Sequence, residues 1–318
     1  MDKRPLGRTG LDIAPLVFGG NVFGWTADQK TSFALLDRFT GAGFNAIDTA
    51  DVYSAWVPGN KGGESETIIG EWLKARPGQR EKTVIITKVG WLGGSGGKGL
   101  TAGAIAARAE DSLRRLQTDY IDLYLSHRPD PDTPIDETLR AHEDLLRSGK
   151  VRAIGGSNYD AAQLRAALDS AAAGNLPRYE VLQPEYNLFD RGSYEGALRD
   201  LCIAEGLGVI TYYSLASGFL SGKYRSEADL AGKARGQRVS KYLNERGMRI
   251  LAALDAVAAA HQAKPAEVAL AWLIAREGVT APIASATSLE QVDSLVRSAQ
   301  LALTANDMAR LDEASAGT

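Results

Sequence analysis

Short apolar runs alternate along this chain with longer stretches in which apolar residues recur every three or four positions. The short runs lie at residues 16–18, 46–48, 84–88, 121–126, 153–157, 181–185, 209–213 and 282–285. Runs such as Val84-Ile85-Ile86 have no polar alternation, the pattern of a strand buried on both faces. The periodic stretches predict amphipathic helices. Residues 31–40 place Phe33, Leu35, Leu36 and Phe39 on one side, and 104–116 set Ile105, Ala109, Leu113 and Leu116 at helical spacing. The pattern repeats at 138–147, 161–168 and 303–314, and 196–205 is periodic around Cys202. Gly43, Gly149 and Gly206 follow predicted helix ends, where a left-handed residue stops the helix.

Strands alternating with helices predict a parallel sheet. Right-handed crossovers close such units into a (β/α)₈ barrel, the TIM barrel, and 318 residues suit one such domain across 1–318. An open doubly wound sheet is the competing architecture. It lacks support, because no Gly-x-Gly-x-x-Gly follows the first strand and opens a helix. Two irregular stretches stand out. The glycine-rich run 93–99 follows the third strand, but Leu100 after Gly99 breaks the phosphate-loop pattern, which favours a plain strand-to-helix connection. Segment 221–244 carries Lys223, Arg225, Lys233, Arg235, Arg238 and Lys241, the density of a loop that closes over an anionic ligand or of a solvated insertion.

Composition narrows the field further. A net charge of −3 argues against a nucleic-acid partner, which selects a basic surface. The single cysteine, Cys202, forms no internal disulfide and reads as a small core residue in a reducing compartment. No apolar run reaches the roughly 18 residues of a membrane span, and no apolar stretch follows Met1-Asp2-Lys3-Arg4-Pro5, so a cytoplasmic protein without a signal peptide is expected.

Barrel active sites gather at the C-terminal ends of strands. Asp48 ends the second predicted strand, Tyr53 follows five residues on, Lys88 ends the third, and His127 follows the fourth. A charge ending a buried strand is costly unless paired, and Asp48 and Lys88 are a pair from adjacent strands. The set suits carbonyl reduction. Tyrosine is a poor acid at neutral pH; a lysine cation lowers its pKa, a carboxylate holds the lysine, and a histidine orients the carbonyl oxygen. Tyr53 is the expected general acid, Lys88 its modulator, Asp48 the lysine's partner and His127 the orienting electrophile. Other chemistries find less. His142 and His261 lie in helical patterns, no zinc-type spacing occurs, and Gly155-Gly156-Ser157-Asn158-Tyr159 lacks the closing glycine of a nucleophile elbow. A glycosidase pairing Asp48 with Glu185 leaves Tyr53 and Lys88 without roles.

These residues sit inside longer motifs. They are Leu6-Gly7-Arg8-Thr9-Gly10-Leu11; Gly43-Phe44-Asn45-Ala46-Ile47-Asp48-Thr49-Ala50-Asp51-Val52-Tyr53; Gly63-Glu64-Ser65-Glu66; and Ile86-Thr87-Lys88. Next come Asp122-Leu123-Tyr124 running into His127, Gly156-Ser157-Asn158, Gln183-Pro184-Glu185-Tyr186-Asn187 and Gly218-Phe219-Leu220-Ser221-Gly222-Lys223. In order and spacing the chain resembles the aldo-keto reductases over nearly its whole length, in the branch that includes potassium-channel β-subunits. The resemblance implies a barrel closed at its base by an N-terminal β-hairpin, here residues 6–16 with a turn at Arg8-Thr9-Gly10. It implies NADPH-linked reduction, with NADH the second option, and matches Asp48, Tyr53, Lys88 and His127 to the family's tetrad. It also implies Ser157, Asn158 and Gln183 around the nicotinamide amide and Tyr212 stacked on its ring. Leu215, Gly218, Leu220 and Lys223 then fall along the pyrophosphate, and Ser285, Thr287 and Gln291 near the 2′-phosphate.

The chain departs from the family pattern in three places. Tyr212-Tyr213-Ser214-Leu215 replaces the usual Tyr-Ser-Pro-Leu. No basic residue occurs in Ser285-Ala286-Thr287-Ser288-Leu289-Glu290-Gln291, and Leu295 stands where an asparagine is usual. Trp25, Trp56 and Trp91 each follow a predicted strand and are the expected substrate-lining residues. With no long C-terminal loop expected, the site reads as open to varied small-molecule carbonyls, sugar-like or cyclic ketones among them. The same fold also serves as a cofactor-binding channel accessory subunit, the non-enzymatic alternative. A metal is not expected.

Overall fold

The computed structural model describes residues 2–92, 99–233 and 235–317, so the glycine run 93–98 lies outside the described residues. The chain opens with a hairpin, β1 (Arg4–Pro5) paired antiparallel with β2 (Asp12–Ile13). Eight parallel strands follow: β3 (Val17–Gly19), β4 (Ala46–Asp48), β5 (Val84–Val89), β6 (Ile121–Ser126), β7 (Val151–Ser157), β8 (Val181–Gln183), β9 (Gly208–Thr211) and β10 (Ala281–Ala284). They pair in sequence order, and β10 pairs both β9 and β3, closing the expected barrel.

The helices are α1 (Gln29–Gly41), α2 (Glu64–Lys74), α3 (Ala102–Leu116), α4 (Ile135–Arg147), α5 (Ala161–Gly174), α6 (Ala197–Ala204), α7 (Gly236–Val239), α8 (Glu245–His261), α9 (Pro265–Ala275), α10 (Leu289–Ser298) and α11 (Ala305–Ser315). Helix ends obey local chemistry. Gly43, Gly149 and Gly206 take φ of +94°, +76° and +64° just past α1, α4 and α6, as expected of helix stops. Asp28 and Thr101 cap the N-termini of α1 and α3 by accepting from Thr31 and Ala104 amides. Helix α9 is apolar nearly all round because it is buried nearly all round, so periodicity cannot delimit it. The segment at 221–244 folds into short 3₁₀ turns and α7 rather than staying irregular.

Two strands end two residues short of expectation, and β3, β5 and β10 end within one residue of it. The run 181–185 stops pairing as β8 at Gln183, since Pro184 has no N–H to give. The run 209–213 ends as strand at Thr211. Tyr212 still donates to the Pro184 carbonyl at 2.9 Å, and Tyr213 then turns left-handed at φ +51°.

Apolar side chains fill the barrel interior: Val17, Ala46, Val84, Ile86, Leu123, Leu125, Ala153, Val181, Ile210, Ala281 and Ile283 share one cluster with Leu6, Leu11 and Ile13 of the hairpin. The hairpin therefore plugs the N-terminal end. Its turn is longer than the sequence reading had it: Leu6 donates to Leu11 at 2.9 Å and Gly7 takes φ +59°. A Cβ on Gly7 would meet the Glu180 carbonyl at 2.5 Å, so only glycine lets the plug seat against the barrel base. A second, larger cluster packs the outer strand faces against the helices and contains Cys202, whose thiol burial pushes up to about 12. That is the inert core thiol expected.

Candidate active site

Strand side chains alternate between the two faces of a sheet, so two residues beyond an inward-facing residue comes another. Two beyond Val17, Ala46, Ile86, Leu125, Val181, Ile210 and Ile283 stand Gly19, Asp48, Lys88, His127, Gln183, Tyr212 and Ser285; Ser157 follows Ala153 by four. The chemistry is thus the top layer of the barrel interior, and its lower layers are hydrocarbon. That layering brings together residues scattered from Gly19 to Ser285.

Lys88 and Asp48 are 1% and 2% exposed, and their pairing is complete. The Lys88 ammonium donates to Asp48 Oδ1 and Oδ2 at 2.7 and 2.8 Å, to the Thr49 carbonyl at 2.8 Å and to the Tyr53 hydroxyl at 3.0 Å. An ammonium has three donors and here finds three groups to receive them. Asp48 also accepts from Tyr53 Oη at 3.1 Å and Gln183 Nε2 at 2.8 Å. Burial pushes Lys88 below the ordinary lysine range, with Asp48 opposing. Tyr53 moves opposite to the sequence expectation. Burial first, and the Asp48 carboxylate second, hold it well above the usual tyrosine value, so the expected depression by Lys88 is outweighed. His127 is pushed well below the usual histidine value by burial, then by Lys88 and Arg128, and is neutral at pH 7. Its ring lies 6.3 Å from that of Tyr53, and its buried Nδ1 has no partner among the described residues.

Beside this cluster the side chains of Ser157, Asn158 and Tyr212 and the backbone carbonyl of Gln183 form one hydrogen-bonded row. Ser157 Oγ donates to the Gln183 carbonyl at 2.9 Å, Asn158 Nδ2 to Ser157 Oγ at 3.2 Å, and Tyr212 Oη to Asn158 Oδ1 at 2.5 Å. The non-glycine residues with left-handed backbone among the described residues fall into two groups. Gln117, Asn175 and Gln262 terminate α3, α5 and α8, whereas Ser54, Asn158, Tyr213, Ala216 and Ser217 lie in the loops at this end of the barrel. Such conformations cost about 1–3 kcal/mol each and persist where surrounding packing imposes them. Ala216, Ser217 and Gly218 are consecutive, at φ +48°, +59° and +100°. Tyr213, in place of the serine usual after the tyrosine, is 41% exposed, and its hydroxyl accepts from Arg238 at 3.3 Å.

The other expected residues divide. Leu215 and Gly218 line the same turn, and the Lys223 ammonium lies close to where a Cβ on Gly218 would project, at 3.6 Å. Leu220 is a fully buried core side chain, so its side chain is not available to a ligand. Ser285 Oγ donates to Asn21 Oδ1 at 2.5 Å, while Thr287 N and Oγ1 donate to Gln291 Oε1 at 2.8 and 3.2 Å. Leu295 packs in the core at 4% exposure, as an apolar replacement must. Asn21 escaped the sequence reading, since a lone asparagine after a short strand carries no signal.

Trp25, Trp56 and Trp91 all converge on this rim. Trp25 lies 5.7 Å from Trp56, Trp56 6.1 Å from Tyr53, and Trp91 5.1 Å from His127, centroid to centroid. Of the basic residues in 221–244, Arg225 is tied bidentately to Asp255 and Lys241 approaches Asp190 at 3.7 Å. Arg235 and Arg238 have no carboxylate partner among the described residues, and Arg235 sits 5.4 Å over the Trp25 ring.

The residues at 15–316 match the sequence pattern of the aldo/keto reductase family. The chain belongs to the aldo/keto reductases. It is 35% identical over 313 residues to an uncharacterized oxidoreductase, YrpG, of Bacillus subtilis (strain 168), covering 95% of this chain and 92% of that one. It is 33% identical over 299 residues to a probable voltage-gated potassium channel subunit beta of Oryza sativa subsp. japonica, covering 92% and 89%. It is 31% identical over 337 residues to the protein tas of Escherichia coli (strain K12), covering 98% and 97%. Family membership makes this chain an oxidoreductase of carbonyl compounds. A glycosidase role for Asp48 and Glu185 falls away, because Asp48 is filled by Lys88, Tyr53 and Gln183.

A second buried acid lies behind the aldo/keto reductase cluster. Asp51 donates its backbone N–H to the Lys88 carbonyl at 3.3 Å, and neither of its buried carboxylate oxygens has a partner among the described residues. Next to it Glu66 of α2 is engaged, accepting from Thr87 Oγ1 at 2.5 Å and Arg115 Nε at 2.6 Å. Burial, then Glu66, raise Asp51 to about 7 against the pull of Arg115 and Arg108. A folded-state pKa above the unfolded one means that its contribution to stability is full below about 4 and is lost as pH rises through 7. Asp51→Asn should therefore match the parent near pH 4 and exceed it by up to about 4 kcal/mol at pH 8. Urea unfolding at pH 5 and 8 checks this; a gain that does not grow with pH contradicts it.

Proposed function

We propose that this protein reduces aldehydes or ketones to alcohols with NADPH, Tyr53 giving the proton to the carbonyl oxygen. The observation that carries this reading is the closed hydrogen-bond set of Lys88, whose three donors meet Asp48, Thr49 and Tyr53 in a buried layer. A bound reduced nicotinamide supplies the hydride. Tyr53, protonated throughout the neutral range, carries the proton that the developing alkoxide needs. Lys88 donates to the Tyr53 oxygen and stabilises the phenolate left behind, while Asp48 keeps the lysine charged and fixed. Neutral His127 has one N–H with which to orient the carbonyl.

The residues fit a nicotinamide dinucleotide. Ser157, Asn158 and Gln183 supply hydroxyl and amide groups for a carboxamide, and the Tyr212 ring a stacking face. Beside the left-handed turn 216–218, Lys223, Arg235 and Arg238 supply charge for the pyrophosphate. Ser285, Thr287 and Gln291 remain as neutral hydrogen-bonding groups for the 2′-phosphate side. An accessory role, as the name of the potassium-channel-subunit relative suggests, is compatible with this set of four, and turnover separates the two readings.

The test is turnover. Purified protein with NADPH or NADH should reduce 4-nitrobenzaldehyde, followed at the nucleotide absorbance, and no turnover with either nucleotide refutes the reading. Fluorescence titration should give tighter binding of NADPH than of NADH. Arg235→Gln should cut that preference by about 10-fold, the size of one charge-assisted contact. An equal loss for both nucleotides would move Arg235 to the shared pyrophosphate.

A further inference from the structure

The aromatic residues at the rim form a continuous arc with a guanidinium at each end. It runs from Arg235 over Trp25, through Trp56, Tyr53 and His127, to Trp91 with Arg128 over its ring at 4.7 Å. The Tyr53–His127 pair, where a carbonyl oxygen is held, lies at the middle. The Arg235 end shares its loop with the groups assigned to the dinucleotide. The Arg128 end lies beyond His127, on a stretch of wall that the dinucleotide reading does not use.

Arg128 is exposed and has no ion pair or hydrogen bond among the described residues. Asp130, whose carboxyl Arg128 helps hold below the usual range, forms no ion pair with it and is engaged elsewhere: it accepts from Leu100 N at 2.8 Å, Asp132 N at 3.0 Å and Thr133 Oγ1 at 2.7 Å. Arg128 follows His127 directly in the chain and lies over the Trp91 ring that neighbours His127, so it stands close to the reacting end of the site. Trp91 is 49% exposed although its ring lies tilted against His127, at 57°, and beneath Arg128. A half-exposed ring beside His127, with the Arg128 guanidinium over it, offers an apolar contact next to a cation. Arginine stacked on an aromatic presents its N–H edge outward, the edge that binds carboxylates bidentately.

We propose that the site takes acidic carbonyl substrates: aldehydes or ketones with an aromatic or extended apolar body lying along Trp91 and a carboxylate, remote from the carbonyl, paired with Arg128. The inference rests on the carbonyl-reduction reading. It assigns the substrate's charge, which that reading leaves open, although the chain as a whole is net negative.

The experiment compares 4-formylbenzoate with its neutral methyl ester, in wild type, Arg128→Gln and Arg128→Lys. Wild type should favour the acid in kcat/KM by about 10-fold or more, chiefly through KM. Arg128→Gln should lower the acid-to-ester ratio by at least about 10-fold, and Arg128→Lys should retain part of it. Because the ratio compares two substrates on one protein preparation, a partly folded variant leaves it readable. A wild type indifferent to the carboxylate, or a ratio unchanged in Arg128→Gln, overturns the proposal. If wild type reduces the ester but not the acid, the site excludes anions and the proposal fails while carbonyl reduction stands. If neither is reduced, the carbonyl-reduction reading fails and the proposal with it.

Discussion

Replacing Tyr53 with phenylalanine should lower kcat/KM for aldehyde reduction by roughly 1,000-fold, the scale of a positioned general acid. Nucleotide affinity should stay close to that of the parent. The ring keeps its edge contacts with Trp56 and His127, so the wall of the site survives. What disappears is the hydroxyl, and with it an acceptor for Lys88 and a donor to Asp48. The remaining buried pair still satisfies itself through the Thr49 carbonyl and Gln183, which limits the stability cost to about 1–3 kcal/mol. Single-turnover kinetics with saturating nucleotide, beside a fluorescence titration, separate the two effects. Retained turnover would transfer the donor role to another group, His127 first.

Lys88→Met should do damage of two kinds. It strips the buried Asp48 carboxylate of its counter-ion, and breaking such a pair by one partner costs about 3–5 kcal/mol. Activity should fall at least as far as in Tyr53→Phe, because the phenolate loses its cation. The double variant Asp48→Asn, Lys88→Met separates these consequences. With no charge left to bury, it should regain most of the stability seen by urea unfolding, since neutral replacements of buried pairs are often close to neutral in energy. It should regain no activity. A double variant as unstable as Lys88→Met alone would mean that the lysine's stem, rather than its charge, holds the layer together.

The quartet proposed as catalytic was legible because each member occupies a strand end or the loop beyond it, where a buried charge needs a reason. Asp48, Lys88 and His127 inherit their aim from strand parity. Tyr53 reaches the site through a loop that no periodicity describes; its place five residues beyond Asp48 marked it, and the family motif strengthened that reading. Leu220 shows the opposite case. Its motif placed it by the dinucleotide, yet its side chain belongs to the core, because the turn after Gly218 points it inward. Arg128 and Asn21 carried no signal, since an arginine after a histidine and an asparagine after a strand are ordinary residues until packing puts them beside a site.

The sequence by itself determined the barrel. Eight apolar runs, the helices between them, and glycines where helices must stop leave few other ways to bury so much strand on both faces. It also determined which polar residues top the interior, because side-chain alternation along a strand is a property of the local chain. Tertiary structure decided the rest. The protonation of Tyr53, Asp51 and His127 depends on burial and on charges that lie far off in sequence. The arc from Arg235 to Arg128 depends on loops from several strands meeting at one rim. Local pattern is written in neighbours along the chain, whereas desolvation and Coulomb interaction act through space and exist only after the barrel has closed.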